Sequence, residues 1–153
     1  MKLAEALILR ADAQKRIEQI KQRLLNNAKV QEGDDPGESP DELINELEAL
    51  AVQLTALIQN INRTNVNTHL DNGQTVADAL AERDILKLKH SIYRDLAQAA
   101  TITQGGRFTR SEIKFVSTVN ISEIQQTADR LAREHRELDA TIQAINWNTE
   151  LME

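Results

Sequence analysis

Leu43, Leu47, Leu50, Leu54, Leu57 and Ile61 follow one another in alternating steps of four and three. A strand would scatter these positions over both of its faces, whereas a helix gathers them on one side. The spacing predicts a long helix with a heptad-like seam, and Ile44, Ala51 and Ile58 widen that seam to the breadth of a bundle interior. Three more runs repeat the pattern. Between Lys2 and Ala28 the stripe is Leu3, Ala6, Ala13, Ile17, Ile20 and Leu24. Between Val76 and Thr101 it reads Ala81, Ile85, Leu88, Ile92, Leu96 and Ala99. From Ile121 onward it reads Ile121, Ile124, Ala128, Leu131, His135, Leu138, Ile142 and Ile145.

The helix starts agree with these stripes. Ser39-Pro40-Asp41-Glu42 offers an N-cap hydroxyl, a proline suited to the first helical position and a glutamate placed for a capping box. Thr75-Val76-Ala77-Asp78 and Asn120-Ile121-Ser122-Glu123 repeat the design. Each helix should span about 35–40 Å at the usual rise per residue. Four matched lengths predict an all-α fold: four long antiparallel helices, two similar helical hairpins, forming a bundle. Because hydrophobic residues reach 41% while aromatics supply only 3%, its core has to be aliphatic. The expected organisation is a single domain over residues 1–153, with hairpins over 1–65 and 75–153. Asp71-Asn72-Gly73 marks a turn, since Asn and Gly tolerate positive φ. In the longest connection Ile113, Phe115, Ser117 and Val119 alternate with other side chains, which suggests a short strand. Lys29-Val30-Gln31 is its expected partner in a small two-stranded β-ribbon.

The second and fourth runs end alike, in IQNINRTN at Ile58–Asn65 and IQAINWNT at Ile142–Thr149. Glu46–Asn65 laid on Arg130–Thr149 gives seven identities, among them Gln59/Gln143, Ile61/Ile145 and Asn62/Asn146. Ala4-Glu5-Ala6-Leu7-x-x-Arg10 matches Ala77-Asp78-Ala79-Leu80-x-x-Arg83 at a different offset. The economical reading is one hairpin used twice, because a lone hairpin leaves its apolar faces wet. Up-and-down topology then gathers Arg10, Asn62, Arg63, Asn65, Arg83, Asn146 and Trp147 at one pole, near His69. Those residues could bind an anion or small polar ligand. The favoured role is to cap helix ends, ahead of an oligomer contact, where Trp and Arg are enriched, and of ligand binding.

Several chemistries find no footing. With no cysteine there is no disulfide, thiolate metal site or Cys nucleophile. A net charge of −6, with both signs interspersed, argues against nucleic-acid binding, which needs a basic face. No run approaches the roughly 18 apolar residues of a membrane span. Arg10 and Asp12 interrupt the apolar run after Ala6 too early for a secretory signal, so a cytoplasmic chain is expected. His69, His90 and His135 are dispersed and no Glu-x-x-His pair occurs, so neither metal nor other cofactor is expected; His135 reads as a polar seam residue that fixes register. Gly105-Gly106 lacks the lysine and helix of a phosphate loop. No Ser/His/acid set forms around the segment holding Arg110, Glu112, Lys114 and Phe115, which reads as a surface for intersubunit or partner contacts.

The phrases KLAEAL at Lys2–Leu7, NNAKVQEGDD at Asn26–Asp35, INRTN at Ile61–Asn65, RSEIKFVSTV at Arg110–Val119 and INWNTEL at Ile145–Leu151 resemble a family of small bacterial helical proteins labelled septicolysin-like. The resemblance spans nearly the whole chain. It implies an all-helical protein that forms a homo-oligomer, with a hexamer as one size, and it supplies no catalytic residues. The label itself implies a pore-forming toxin. The sequence alone therefore leads to a non-enzymatic, self-assembling helical bundle, with a toxin-like protein and a ligand carrier as the alternatives.

Overall fold

The computed structural model describes residues 1–102 and 113–153. They contain four helices: α1 (Leu3–Asn26), α2 (Pro40–Asn67), α3 (Val76–Ala100) and α4 (Ile121–Asn148). The chain divides into two compact units, Met1–Ala77 with Gln143–Glu153, and Asp78–Ile142.

In the first unit α1 and α2 form an antiparallel hairpin. Leu3 and Ala6 near the start of α1 meet Ile61 near the end of α2, with Leu7, Leu57 and Leu151 packed around them. At the other end Ile20 meets Leu43 and Leu50, backed by Ile17, Leu24 and Leu47. These are the expected stripes of both helices, interleaved. Ser39 caps α2, its Oγ accepting from the Glu42 N–H at 3.4 Å, and Pro40 opens the helix. Asn27 closes α1: its Nδ2 donates to the Arg23 carbonyl at 2.8 Å, while its Oδ1 accepts from the Glu38 N–H at 3.0 Å. Arg23 also grips Glu38 through Nε, at 3.1 and 3.0 Å to the two carboxylate oxygens, so the loop is tied back onto the helix it leaves.

That hydrogen-bonded guanidinium holds the Glu38 carboxyl below its ordinary value of 4.5. A carboxyl whose folded pKa is depressed adds stability above its unfolded pKa and loses it as pH falls through the folded value. Glu38→Gln is therefore expected to flatten the acid limb of stability below about pH 4.5, by an amount that salt diminishes because the pair is exposed. Urea midpoints measured against pH check this; parallel curves for the two proteins would refute it.

The end of the chain is stitched onto the same unit. The Leu3 N–H donates to the Thr149 carbonyl at 2.9 Å and the Leu151 N–H to the Met1 carbonyl at 2.8 Å. Lys2 reaches Glu150 at 2.6 Å, and hydrogen bonding to Lys2 keeps the Glu150 carboxyl low. Thr64 is fully buried; its Oγ1 donates to the Asn60 carbonyl at 2.8 Å and accepts from the Met152 N–H at 2.9 Å. Thr64→Val keeps the shape and leaves that N–H without its acceptor. We expect a loss of about 1–2 kcal/mol in chemical denaturation; an unchanged midpoint would show the bond to be dispensable.

The link from α2 to α3 turns at Gly73, whose φ of +84° is natural for glycine. Asn72 Oδ1 accepts from the Gln74 N–H at 3.0 Å, and the Val76 N–H returns to the Thr68 carbonyl at 2.9 Å.

In the second unit α3 and α4 also run antiparallel. Arg83 early in α3 pairs with Asp139 late in α4 at 3.0 Å, while Ala97 late in α3 shares a hollow with Ala128 early in α4. Asn120 caps α4, accepting from the Glu123 N–H at 3.2 Å. The expected stripe of α4 is its less exposed face, with Ala128, Leu131 and Ile142 buried.

The expected β-ribbon does not form: among the described residues there is no strand, only isolated bridges at Lys2/Glu150 and His69/Thr75. The Gln31 carbonyl is taken by the Asp34 N–H at 2.9 Å in a turn through Gly33. At the other segment Ile113, Phe115 and Val116 are 87%, 82% and 79% exposed, so residues of both parities face water. Alternation specifies a strand only when one face is buried. Here neither is.

Candidate functional site

Helix α3 carries two lengthwise stripes. One, of Ala79, Arg83, Leu86, His90, Tyr93 and Ala97, is buried or half-buried. The other consists of Ile85, Leu88, Ile92 and Leu96, which remain 55%, 55%, 56% and 39% exposed. This corrects the expected packing, which put the second stripe inside. Both stripes satisfy helical spacing, and hydropathy favours the wrong one. Ala79 and Ala97 are buried on the less greasy stripe, and the charge of Arg83 on that stripe is met by Asp139.

The sequence match between α1 and α3 allows a comparison. Carrying the Arg10/Arg83 match along both helices lays the inward residues Leu3, Ala6, Ala13, Ile17, Ile20 and Leu24 of α1 on Val76, Ala79, Leu86, His90, Tyr93 and Ala97 of α3. The two helices therefore share one inward register. Their other faces differ: where α3 has Ile85, Leu88, Ile92 and Leu96, α1 has Asp12, Lys15, Gln19 and Arg23. The same position in the hairpin is polar in one copy and aliphatic in the other.

The aliphatic stripe runs on into a hollow of about 450 Å³ lined by Leu96, Ala99, Phe115 and Val116, among others. A second hollow, of about 570 Å³, lies between α3 and α4 beside His90, Arg94, Gln98, Gln125 and Asp129. Phe115 and Lys114, expected as contact residues, are both exposed; Arg110 and Glu112 lie outside the described residues.

The polar-pole residues are distributed less tightly than expected. Arg10, Asn62, Arg63, Asn65, Asn146 and Trp147 all belong to the first unit, where the start of α1 and the ends of α2 and α4 meet. Arg83 belongs to the second unit and is engaged by Asp139. Arg10 and Asn65 are half-buried, Asn62, Arg63 and Trp147 exposed, and Asn146 buried. Arg63 Nη1 donates to Asn60 Oδ1 at 3.2 Å, a contact within its own helix. None of the seven lines either hollow. The duplicated asparagines do not share an environment, since Asn62 faces water and Asn146 does not.

His135 is half-buried on the inward face of α4, His90 lies on the inward face of α3, and His69 is exposed in the link. Among the described residues no group of three or more His, Cys, Asp or Glu side chains could hold a metal ion. No helix there is long and apolar enough to cross a membrane.

Fold and surface together define an all-helical protein of two units whose most distinctive feature is an aliphatic face on the outside of one helix. The chain belongs to a family of unknown function, DUF6847, whose profile matches residues 10–151. It is similar to a functionally unknown conserved protein from Corynebacterium diphtheriae, known from a crystal structure, with 49% identity, 99% of each chain covered and a TM-score of 0.92. No curated protein matches the chain.

Proposed function

We propose that the protein is a non-enzymatic helical-bundle module that assembles with copies of itself. The outer stripe of α3 carries this reading. Contiguous aliphatic surface is costly to leave in water, at about 25 cal/mol per Å², and a patch of this kind marks an interaction site more often than chance exposure. The polar counterpart on α1 argues that the stripe is not a side effect of helix composition, because the duplicated hairpin folds without it. The exposed Phe115 beside Leu96 extends the surface in the direction that the contact segment suggested.

The assembly is a closed homo-oligomer, and a hexamer is the size that the septicolysin-like resemblance implies. A cytoplasmic location belongs to the same proposal, and cell fractionation tests it. The toxin-like alternative has only that resemblance in its favour.

Light scattering over a concentration series tests assembly directly. A mass of two or more chains that falls on dilution supports the reading, and a single-chain mass at every concentration overturns it.

A further inference from the structure

We infer that Asn72 is a site of spontaneous modification: the backbone nitrogen of Gly73 displaces its side-chain amide and leaves an aspartyl or isoaspartyl residue in the link between α2 and α3. Asn72-Gly73 is the one Asn-Gly pair in the chain. Both residues are exposed, and nothing lies within 4 Å of the point where a side chain on Gly73 would start, so its nitrogen is not crowded on that side. The Asn72 side chain is already turned toward the backbone that attacks it. Its Oδ1 accepts from the Gln74 N–H at 3.0 Å, which holds the carboxamide against the peptide joining Asn72 to Gly73. The same N–H meets the oxygen on which negative charge grows as Cγ is attacked, and a donor placed there lowers the barrier.

The step balances with water as its co-reactant. The Gly73 nitrogen, having given its proton to a base in the solvent, bonds to Asn72 Cγ and closes a succinimide ring. The Cγ–Nδ2 bond breaks, and the nitrogen leaves as ammonia after taking up a proton. Water then opens the ring at Cγ, which gives aspartate, or at the main-chain carbonyl, which gives isoaspartate. One bond opposes the first step. The Gly73 N–H donates to the Leu70 carbonyl at 2.9 Å and has to let go before its nitrogen can attack. Exposed turns open at the cheap end of local unfolding, so this bond slows the conversion without abolishing it. Each event adds one negative charge to a chain whose net charge is −6. The isoaspartyl product also routes the main chain through Cβ and Cγ. That lengthens a turn which Leu70 closes twice, accepting from Gly73 and donating to the Gln74 carbonyl at 2.8 Å, and the two bonds no longer fit together.

The test keeps the full chain in warm, mildly alkaline buffer, with and without urea, then maps its tryptic fragments by mass spectrometry. The fragment over residues 64–83 carries Asn65 and Asn67 beside Asn72, each followed by a β-branched residue that crowds the same attack. It therefore contains its own controls. Asn72 should gain the mass of an amide-to-acid exchange while Asn65 and Asn67 keep theirs. Its rate should be about tenfold lower in the folded chain than in the urea-unfolded one, the effect of having to open one exposed turn bond. An acidic band on isoelectric focusing should grow in step and be missing from Asn72→Ser, which keeps a turn-forming oxygen but has no amide to lose. An Asn72 that stays intact in the folded chain while the unfolded chain converts overturns the site. Conversion at Asn65 or Asn67 as fast as at Asn72 overturns the role given to Gly73, and equal rates with and without urea overturn the brake given to Leu70.

Discussion

Leu88→Asp combined with Ile92→Asp is expected to yield a monomer that keeps its helices. In the isolated chain both side chains are more than half exposed. The cost to the monomer is then mostly lower helix propensity and some lost packing on the stripe, about 1 kcal/mol in all. In a covered interface the same carboxylates would have to shed water, a penalty of several kcal/mol per buried charge. Association and folding thus separate by an amount that light scattering and thermal unfolding resolve easily. A variant that keeps the parent's mass would show the stripe to be bystander surface.

Ile61→Ala is expected to be far more damaging to the fold itself. Ile61 is 1% exposed and lies where Leu3 and Ala6 of α1 meet Leu57 and Leu151. Truncation leaves a cavity walled by two helices and the stitched chain end, which cannot all close in at once. The expected loss is about 2–5 kcal/mol of unfolding free energy, a large share of the roughly 5–15 kcal/mol that holds a domain of this size. Val52→Ala, on the exposed side of the same helix, should be nearly silent. Urea denaturation of the pair decides the matter: comparable midpoints would mean that the contact between α1 and α2 is not where stability resides.

The two substitutions also mark where the sequence could be read and where it could not. In α2 the seam from Leu43 to Ile61 turns inward while Ile44, expected to widen it, stays exposed, and the cap at Ser39 and the turn at Gly73 sit where their chemistry puts them. These are local rules with one solution each. Helix α3 has two solutions. Its apolar periodicity points to Ile85, Leu88 and Ile92, while its true inner face is occupied by Ala79, Arg83, His90, Tyr93 and Ala97, which hydropathy ranks lower. The match of Arg10 to Arg83 carried the right register, because the positions it aligns on α1 and α3 are the buried or half-buried ones in both helices. The strand expected near Phe115 failed for a related reason. Alternation is a pattern of side chains, and only burial on one side turns it into a sheet. The polar pole was legible as a neighbourhood within the first unit, but proximity of chain segments does not bring exposed side chains such as Asn62 and Trp147 to converge on one point.

The inner face of α3 has one more consequence. Beyond Val76 its buried members are alanines, and among the described residues the second unit hides only Leu131 and Ile142 as large side chains, whereas the first hides Leu3, Ile20, Leu43, Leu50, Ile61, Leu70 and Val76. Local opening costs least where least oil is sequestered. The amides of α3 should therefore trade their protons with solvent ahead of those of α1 and α2, and a mate laid along its outer side would slow that trade. Quaternary contact in this molecule would then finish the tertiary structure of its weaker half.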